Sequence, residues 1–354
     1  MSRTNKRVCL KSRPGENSAP SVDNFHVEDC EFPEVQDGQI LVKTLYLSAD
    51  PYMRCRMNLD TGTDYMSPWK LDDTIDGSGV GVVIESRNSS FSRGEILESF
   101  HWPWKQYATF DVQGFNCLIV NKVEPTLVEK HYSLMLGLYG VSGLSGLVGI
   151  REKGHITKDS KQTCVVSAAA GSCGSVAGQV ARLEGCSNVV GICGSDEKCA
   201  YITEDLGFQH AINYKTQDVV EQLSETCPNG VDVYFDNVGA SISDTVIKQM
   251  NKNSHIVLCG QIAVYNTDLP YPPPLSQETQ DILQERNITR ERFLILNYVD
   301  QFPNSIAQLH LWYKTGAIKF RETVAESLDA APEAFISMMT GGNIGKQIVH
   351  VADP

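Results

Sequence analysis

The sequence predicts an α/β protein: a doubly wound parallel sheet that binds a dinucleotide, joined to a second, β-rich domain. Three observations predict it. From about residue 129 to 300, short apolar runs alternate with helical stretches, as successive βαβ units do. Within that region the run Thr163 to Gly178, TCVVSAAAGSCGSVAG, puts Ala168-x-x-Gly171-x-x-Gly174-x-x-x-Gly178 between a β-type run and a helical pattern. At 354 residues the chain exceeds a typical domain of about 100 to 200. Residues 1–128 are therefore assigned to the first part of the β-rich domain, 129–301 to the nucleotide domain, and 302–354 to a return to the first.

In the first domain, RVCL, QILVKTLYLS, GVGVVIES and YATFDV are strand signals between turn residues. In the second, the spacing predicts strand 163–170, a helix over about 174–185, strand 188–195, a helix over about 196–206 and strand 211–214. It continues with a helix near 217–227, strand 231–239, a helix near 241–251, strand 255–262 and a sixth strand, FLILNY, at 293–298. LPYPPPLSQETQ (269–280) holds four prolines and reads as a surface excursion, neither helix nor central strand. A helix to Thr315, the run KFRETV, a helix near 330–340 and KQIVHV close the pattern.

The glycine run is the first functional signal. Val165 and Val166 suit a buried parallel strand, Gly171 reads as the sharp turn that brings backbone close to a pyrophosphate, and Gly174 and Gly178 as packing positions of the next helix. The second strand chooses the cofactor. An NAD site places an acid at its end to accept from the ribose; here the end is Gly194-Ser195, with Lys198 one turn on to meet a phosphate, so NADPH is favoured. Asp196-Glu197-Lys198 is also how an ordinary helix begins. Tyr214 ends the third strand as a further donor or as a core tyrosine. Asn237-Val238-Gly239 and Cys259-Gly260-Gln261 end the fourth and fifth, where ribose and carboxamide contacts belong.

Composition excludes several classes. A net charge of −13 disfavours nucleic acid and anionic membrane as partners. No run approaches the roughly 18 apolar residues of a membrane span, the N-terminal stretch lacks the apolar core of a secretory signal, and eleven scattered cysteines fit reduced thiols. A cytoplasmic location is expected; monomer and homodimer both stay open. There is no Gly-His-Glu, no H-E-x-x-H and no closely spaced cysteine set for zinc, no Y-x-x-x-K and no G-x-S-x-G. Gly341 to Gln347, GGNIGKQ, lacks the spacing and the hydroxyl of a kinase-type phosphate loop.

A hydride enzyme without metal suits an α,β-unsaturated ketone, in which hydride enters the β-carbon and charge collects on oxygen. Tyr265 is the candidate donor to that oxygen, directly or through a ribose hydroxyl; the alternative is a tyrosine that caps the fifth strand. In the first domain DPYMRCRM (50–57) and FHWPW (100–104) read either as an aromatic wall with Arg54 or Arg56 meeting a carboxylate, or as core packing and loop bracing.

The motifs DPYMRCRM, TGTDY, SFHWPW, EKGHIT, AAAGSCGSVAGQ, GICGSDEKC, YFDNVG, CGQI, YPPPL, NITRERFL and MMTGGNIGKQIV together resemble the prostaglandin reductases of the zinc-independent medium-chain dehydrogenase/reductase superfamily, nearly end to end. The resemblance implies a GroES-like β domain formed by both chain ends, a Rossmann domain between them, and NADPH-dependent reduction of the 13,14 double bond of 15-keto prostaglandins. It implies cofactor contacts from Gly171, Ser172, Cys173, Gly174, Lys198, Tyr214, Asn237, the run Cys259, Gly260, Gln261, Ile262, Ala263, Val264 and Tyr265, then Phe293, Leu294, Ile295 and Asn343. Substrate contacts are implied for His101, Trp102, Leu294, Ile295 and Leu296. The chain departs from the family at position 101, where the family has Tyr, and runs a few residues longer through 111–120. A general enone, enal or quinone reductase and a non-catalytic NADPH-binding protein are the competing readings.

Overall fold

The computed structural model describes residues 4–63, 66–113, 120–158 and 160–354. The chain forms two compact units: Met1–Gly137 with Glu322–Asn343 and Gln347–Pro354, and Leu138–Arg321 with Ile344–Lys346. Asp64 and Tyr65 of the TGTDY motif, and residues 114–119 of the lengthened segment, lie outside the described residues.

The first unit begins with an antiparallel pair, β1 (Thr4–Leu10) and β2 (Phe25–Glu31). β3 (Gln39–Ser48), β4 (Asp76–Ser86), β5 (Ile96–Pro103), β6 (Tyr107–Asp111) and β7 (Asn121–Lys122) follow, with β3 paired to both β4 and β6. The core is aromatic: Trp102 and Trp104 are fully buried among Met53, Ile75, Leu97 and Phe335. Trp102 explains the glycines of β4, because a Cβ at Gly79 or Gly81 would come within 2.3 or 2.4 Å of its ring.

The second unit is a six-stranded sheet of β8 (Thr163–Ser167), β9 (Asn188–Cys193), β10 (His210–Asn213), β11 (Val231–Asp236), β12 (Met250–Leu258) and β13 (Thr289–Arg292). All neighbours pair parallel in the order β10-β9-β8-β11-β12-β13. The order reverses between β8 and β11, the place where a doubly wound sheet opens a crevice beyond its carboxyl ends. The central strands are apolar on both faces, as burial under helices on each side requires. β14 (Glu322–Glu326) and β15 (Lys346–His350) return to the first unit's sheet, whose order is β14-β15-β3-β4-β5-β7.

Several expectations need correction. FLILNY is not the sixth strand; the polar segment Thr289–Arg292 is, because its register with β12 runs from His255↔Thr289 to Leu258↔Arg292. The ladder ends where the Phe293 N–H donates to Leu258, and Ile295–Gln301 coils into a 3-10 turn with Phe293 stacked on Tyr298. Strand 163–170 stops at Ser167, and the helix from Asp196 keeps α form only to Ala200 before a π turn. The proline-rich excursion gives way to a helix, Gln277–Glu285, capped by the Ser276 hydroxyl. The helix Phe302–Lys314 belongs to the second unit, because His310 meets Tyr139, Trp312 lies under Arg151 and Gln301 donates to Glu152. The return accordingly starts at Glu322. Among the described residues no helix is long and apolar enough to cross a membrane.

Candidate functional site

The turn after β8 is sharp, yet glycine is not what bends it. Ala168 takes the left-handed conformation at φ +49°, while Gly171 is an ordinary extended N-cap at φ −80°. Gly171 instead closes the turn, its N–H donating to Ala168 at 2.9 Å. Gly174 is needed for close approach, since a Cβ there would sit 2.5 Å from the Ala168 carbonyl oxygen, and at Gly178 it would sit 2.0 Å from the Phe208 ring. The helix Ser172–Glu184 then points its first N–H groups out of the turn. The Ser172 hydroxyl is buried and has no hydrogen-bond partner among the described residues. A buried orphan donor at a helix N-terminus fits an anionic group such as a pyrophosphate.

The turn has a second support that the sequence did not reveal. Ile344–Lys346 joins the second unit, where Gly345 bridges to Gly171 and donates its N–H to Ala170 at 2.7 Å. Gly345 has φ +70°, and a Cβ would lie 1.8 Å from the Arg321 carbonyl oxygen, so only glycine fits. That is the use of the GGNIGKQ segment, in which Asn343 directly precedes Ile344.

Across the switch point, β11 ends in a hub that sequence reasoning missed. Asp236 is fully buried and accepts from the Gln261 amide (2.8 Å), the Tyr234 hydroxyl (2.9 Å), the Ser243 hydroxyl and the backbone N–H groups of Val238 and Gly239 (3.0 Å each). Asn237 ties β11 to β8, its side chain donating to the Ser167 carbonyl at 2.8 Å and its N–H to the Ser167 hydroxyl at 2.9 Å. The hub fixes the loop from Cys259, whose N–H, like that of Gly260, donates to the Asp236 carbonyl at 3.0 Å. An acid inside a strand-ending VDVYFDNVG run was the available signal; it read as strand.

The end of β9 bears on the cofactor question. Asp196 is occupied by the Asn213 amide at 2.7 Å, and Glu197 faces Arg321 at 3.8 Å, so both acids have their own partners. Ser195 caps the helix, accepting from the Lys198 N–H at 3.3 Å. Tyr214 is 47% exposed, which removes the core reading. Its ring lies over Gly194, where a Cβ would stand 3.1 Å from it. Burial pushes the Lys198 ammonium down, and the neighbouring Lys215 charge adds to that. Two like charges beside a phenol and a Cβ-free strand end suit a phosphate. Lys215, directly after Tyr214, was not singled out from the sequence.

Ile262–Val264 forms a 3-10 turn that delivers Tyr265, half-buried, with its hydroxyl 3.4 Å from the Gln261 N–H. Ala263 is exposed and Val264 buried in that turn. Phe293 and Ile295 are buried, leaving Leu294 and Leu296 as the part-exposed side chains of their segment. Cys173 and Cys259 approach each other with sulfurs 3.8 Å apart.

In the first unit the expected substrate wall is mostly structural. Trp102 cannot line a ligand, being fully buried with its indole N–H on the Thr44 hydroxyl at 2.8 Å and its ring against Phe110. Arg54 is fully buried and braces loops through Asn58, Gly15 and Ser18. Arg56 binds Asp76 at 2.7 Å and Ser67 at 2.9 Å. His101 stays exposed, its Nδ1 3.3 Å from Asp76. Burial pushes the Asp76 carboxyl up, but the hydrogen bonds from His101 and Arg56 outweigh it and hold the group below its usual range.

Among the described residues no group of three or more His, Cys, Asp or Glu side chains is placed to hold a metal ion.

The family model described as the N-terminal domain of oxidoreductase matches residues 6–118, and that described as zinc-binding dehydrogenase matches residues 173–307. The chain is 32% identical to the NADPH-dependent curcumin reductase of Escherichia coli over 353 residues, 98% of this chain and 97% of that protein. It is 36% identical to prostaglandin reductase 1 of Rattus norvegicus over 333 residues, 93% of this chain and 94% of that protein. The solved structure of CurA from Vibrio vulnificus in complex with NADPH superposes with a TM-score of 0.88 at 34% identity, covering 99% of this chain and all of that one (100%).

Proposed function

This chain belongs to the NADPH-dependent oxidoreductases of the medium-chain dehydrogenase/reductase family, and on that premise we propose that it reduces the 13,14 double bond of 15-keto prostaglandins to 13,14-dihydro-15-keto products. Bound NADPH supplies a hydride. The chain's own part is to hold the pyrophosphate on Gly171 to Gly174, the ribose phosphate at Lys198 and Tyr214, and the nicotinamide end along Asn237 and Cys259 to Tyr265.

The observation that carries the reading is the part-exposed Tyr265 at the end of that run, its hydroxyl 3.4 Å from the Gln261 N–H. A hydrogen bond from a phenol suffices for an enone, whose conjugation already delocalises the charge that hydride addition creates. Leu294 and Leu296 offer the apolar surface a lipid chain needs. His101 stays the proposed contact from the β-rich unit, and the likeness to prostaglandin reductase 1 supports the substrate class.

The second reading, a general enone or quinone reductase, is favoured by the likeness to the curcumin reductase over 98% of this chain. Turnover of 15-keto-prostaglandin E2, curcumin and a small alkenal with NADPH decides between them. Highest kcat/KM on the prostaglandin is expected; faster turnover of the alkenal assigns the general activity, and no turnover of any despite NADPH binding assigns a non-catalytic role.

A further inference from the structure

We infer that Cys173 and Cys259 form an oxidation site on the cofactor turn: hydroperoxide joins them in a disulfide, and the joined turn no longer accepts NADPH. The inference rests on the reading that this turn holds the pyrophosphate.

The two thiols come from separate elements. Cys173 is the second residue of the helix Ser172–Glu184, and Cys259 follows β12, yet their sulfurs stand 3.8 Å apart, in mutual hydrogen-bond contact. Both are free and partly exposed, so a small peroxide reaches them. A disulfide has sulfurs about 2.05 Å apart, so the pair must close by about 1.8 Å. Cys259 is tied down, its N–H on the Asp236 carbonyl at 3.0 Å. The turn on the other side is set by short contacts of its own, Gly171 to Ala168 at 2.9 Å, Gly345 to Ala170 at 2.7 Å and a Gly174 that leaves no room for even a Cβ, so closing the pair strains it. Moving Cys173 draws the first N–H groups of the helix away from where an anion would meet them.

The Cys259 sulfur beside it, then burial, push the Cys173 thiol up, and whichever sulfur meets the peroxide first the sum of the reaction is the same. With Cys259 first, its sulfur attacks one peroxide oxygen; the O–O bond breaks, giving a sulfenic acid and, for hydrogen peroxide, one water. The Cys173 sulfur then attacks the sulfenic sulfur, the S–S bond forms, the S–O bond breaks, and a second water leaves with the Cys173 proton. Two thiols lose two electrons and two protons, and the peroxide is reduced to two waters.

The test treats the whole protein with hydrogen peroxide, maps unreduced peptides by mass spectrometry and titrates NADPH by fluorescence. A linked Cys173–Cys259 peptide, a Kd for NADPH raised at least tenfold and its recovery with dithiothreitol are expected, as is slower linking under saturating NADPH. In Cys259→Ser the Kd before and after peroxide should be equal, and in Cys173→Ser no linked peptide should form. Absence of the linked peptide defeats the inference and leaves the turn as the cofactor site. A linked peptide with unchanged NADPH affinity defeats the inference and the placement of the pyrophosphate together.

Discussion

We propose that Lys198 decides between two cofactors that differ by one phosphate. Its ammonium is already disfavoured by burial and by Lys215, so an incoming phosphate relieves a cost as well as adding a bond. A hydrogen bond to a charged group contributes about 1.5–3 kcal/mol, so Lys198→Ala should raise KM for NADPH about 10- to 100-fold and leave KM for NADH unchanged. Lys215→Ala should act in the same direction and more weakly; equal effects on both cofactors would remove the phosphate from this corner. Tyr265→Phe should keep NADPH affinity and lower kcat by about a hundredfold, the low end for a lost proton donor; unchanged turnover would leave Tyr265 as a cap. The position of Gly194, Ser195 and Lys198 at the junction of the second strand and its helix was legible because strand ends have a known place in the fold. Asp236 and Lys215 were not, because their importance lies in what gathers round them: six hydrogen bonds in one case and a second cation in the other. Trp102 was misread because an aromatic cluster looks the same in a pocket wall and in a core; only its bond to Thr44 tells them apart.

Elements were read well where one signal fixed them and poorly where two competed. β3, QILVKTLYLS, was bounded to the residue because both ends carry turn formers and its apolar positions face two layers. β13 was displaced because an edge strand needs no apolar run, while the apolar FLILNY was claimed by packing as a 3-10 turn. The glycine turn shows the same competition within three residues. Gly171 and Gly174 look alike in sequence, yet a Cβ at Gly171 meets only the Ala168 oxygen at 3.2 Å, whereas at Gly174 it meets that oxygen at 2.5 Å and Ala169 Cα at 3.0 Å. Gly171→Ala should therefore weaken NADPH binding with little change in Tm. Gly174→Ala should lower both, with a stability loss of about 1–3 kcal/mol for forced repacking. Thermal melts and NADPH titrations on the two variants check this; a Tm loss in both would mean that the turn tolerates no added atom anywhere.

At the scale of the molecule, a net charge of −13 offers an anionic cofactor no general attraction. Affinity must come from a few local groups, and binding should show as stability. A ligand at a hundredfold excess over its Kd adds about 2.7 kcal/mol, so NADPH should raise Tm measurably and NADH, at equal concentration, should raise it less. Equal shifts would contradict the local phosphate site. The chain passes between its two units four times, at 137/138, 321/322, 343/344 and 346/347. The sequence foresaw a return but not the three-residue visit of Ile344–Lys346, which leaves no compositional trace. That visit has a consequence in time. The carbonyl of Ala170 finds its partner in Gly345, roughly 175 residues downstream, and ribosomes add about 5–20 residues each second. For some ten to thirty seconds of synthesis the turn after β8 exists as sequence but stands unfinished, until its latest-made neighbour closes it.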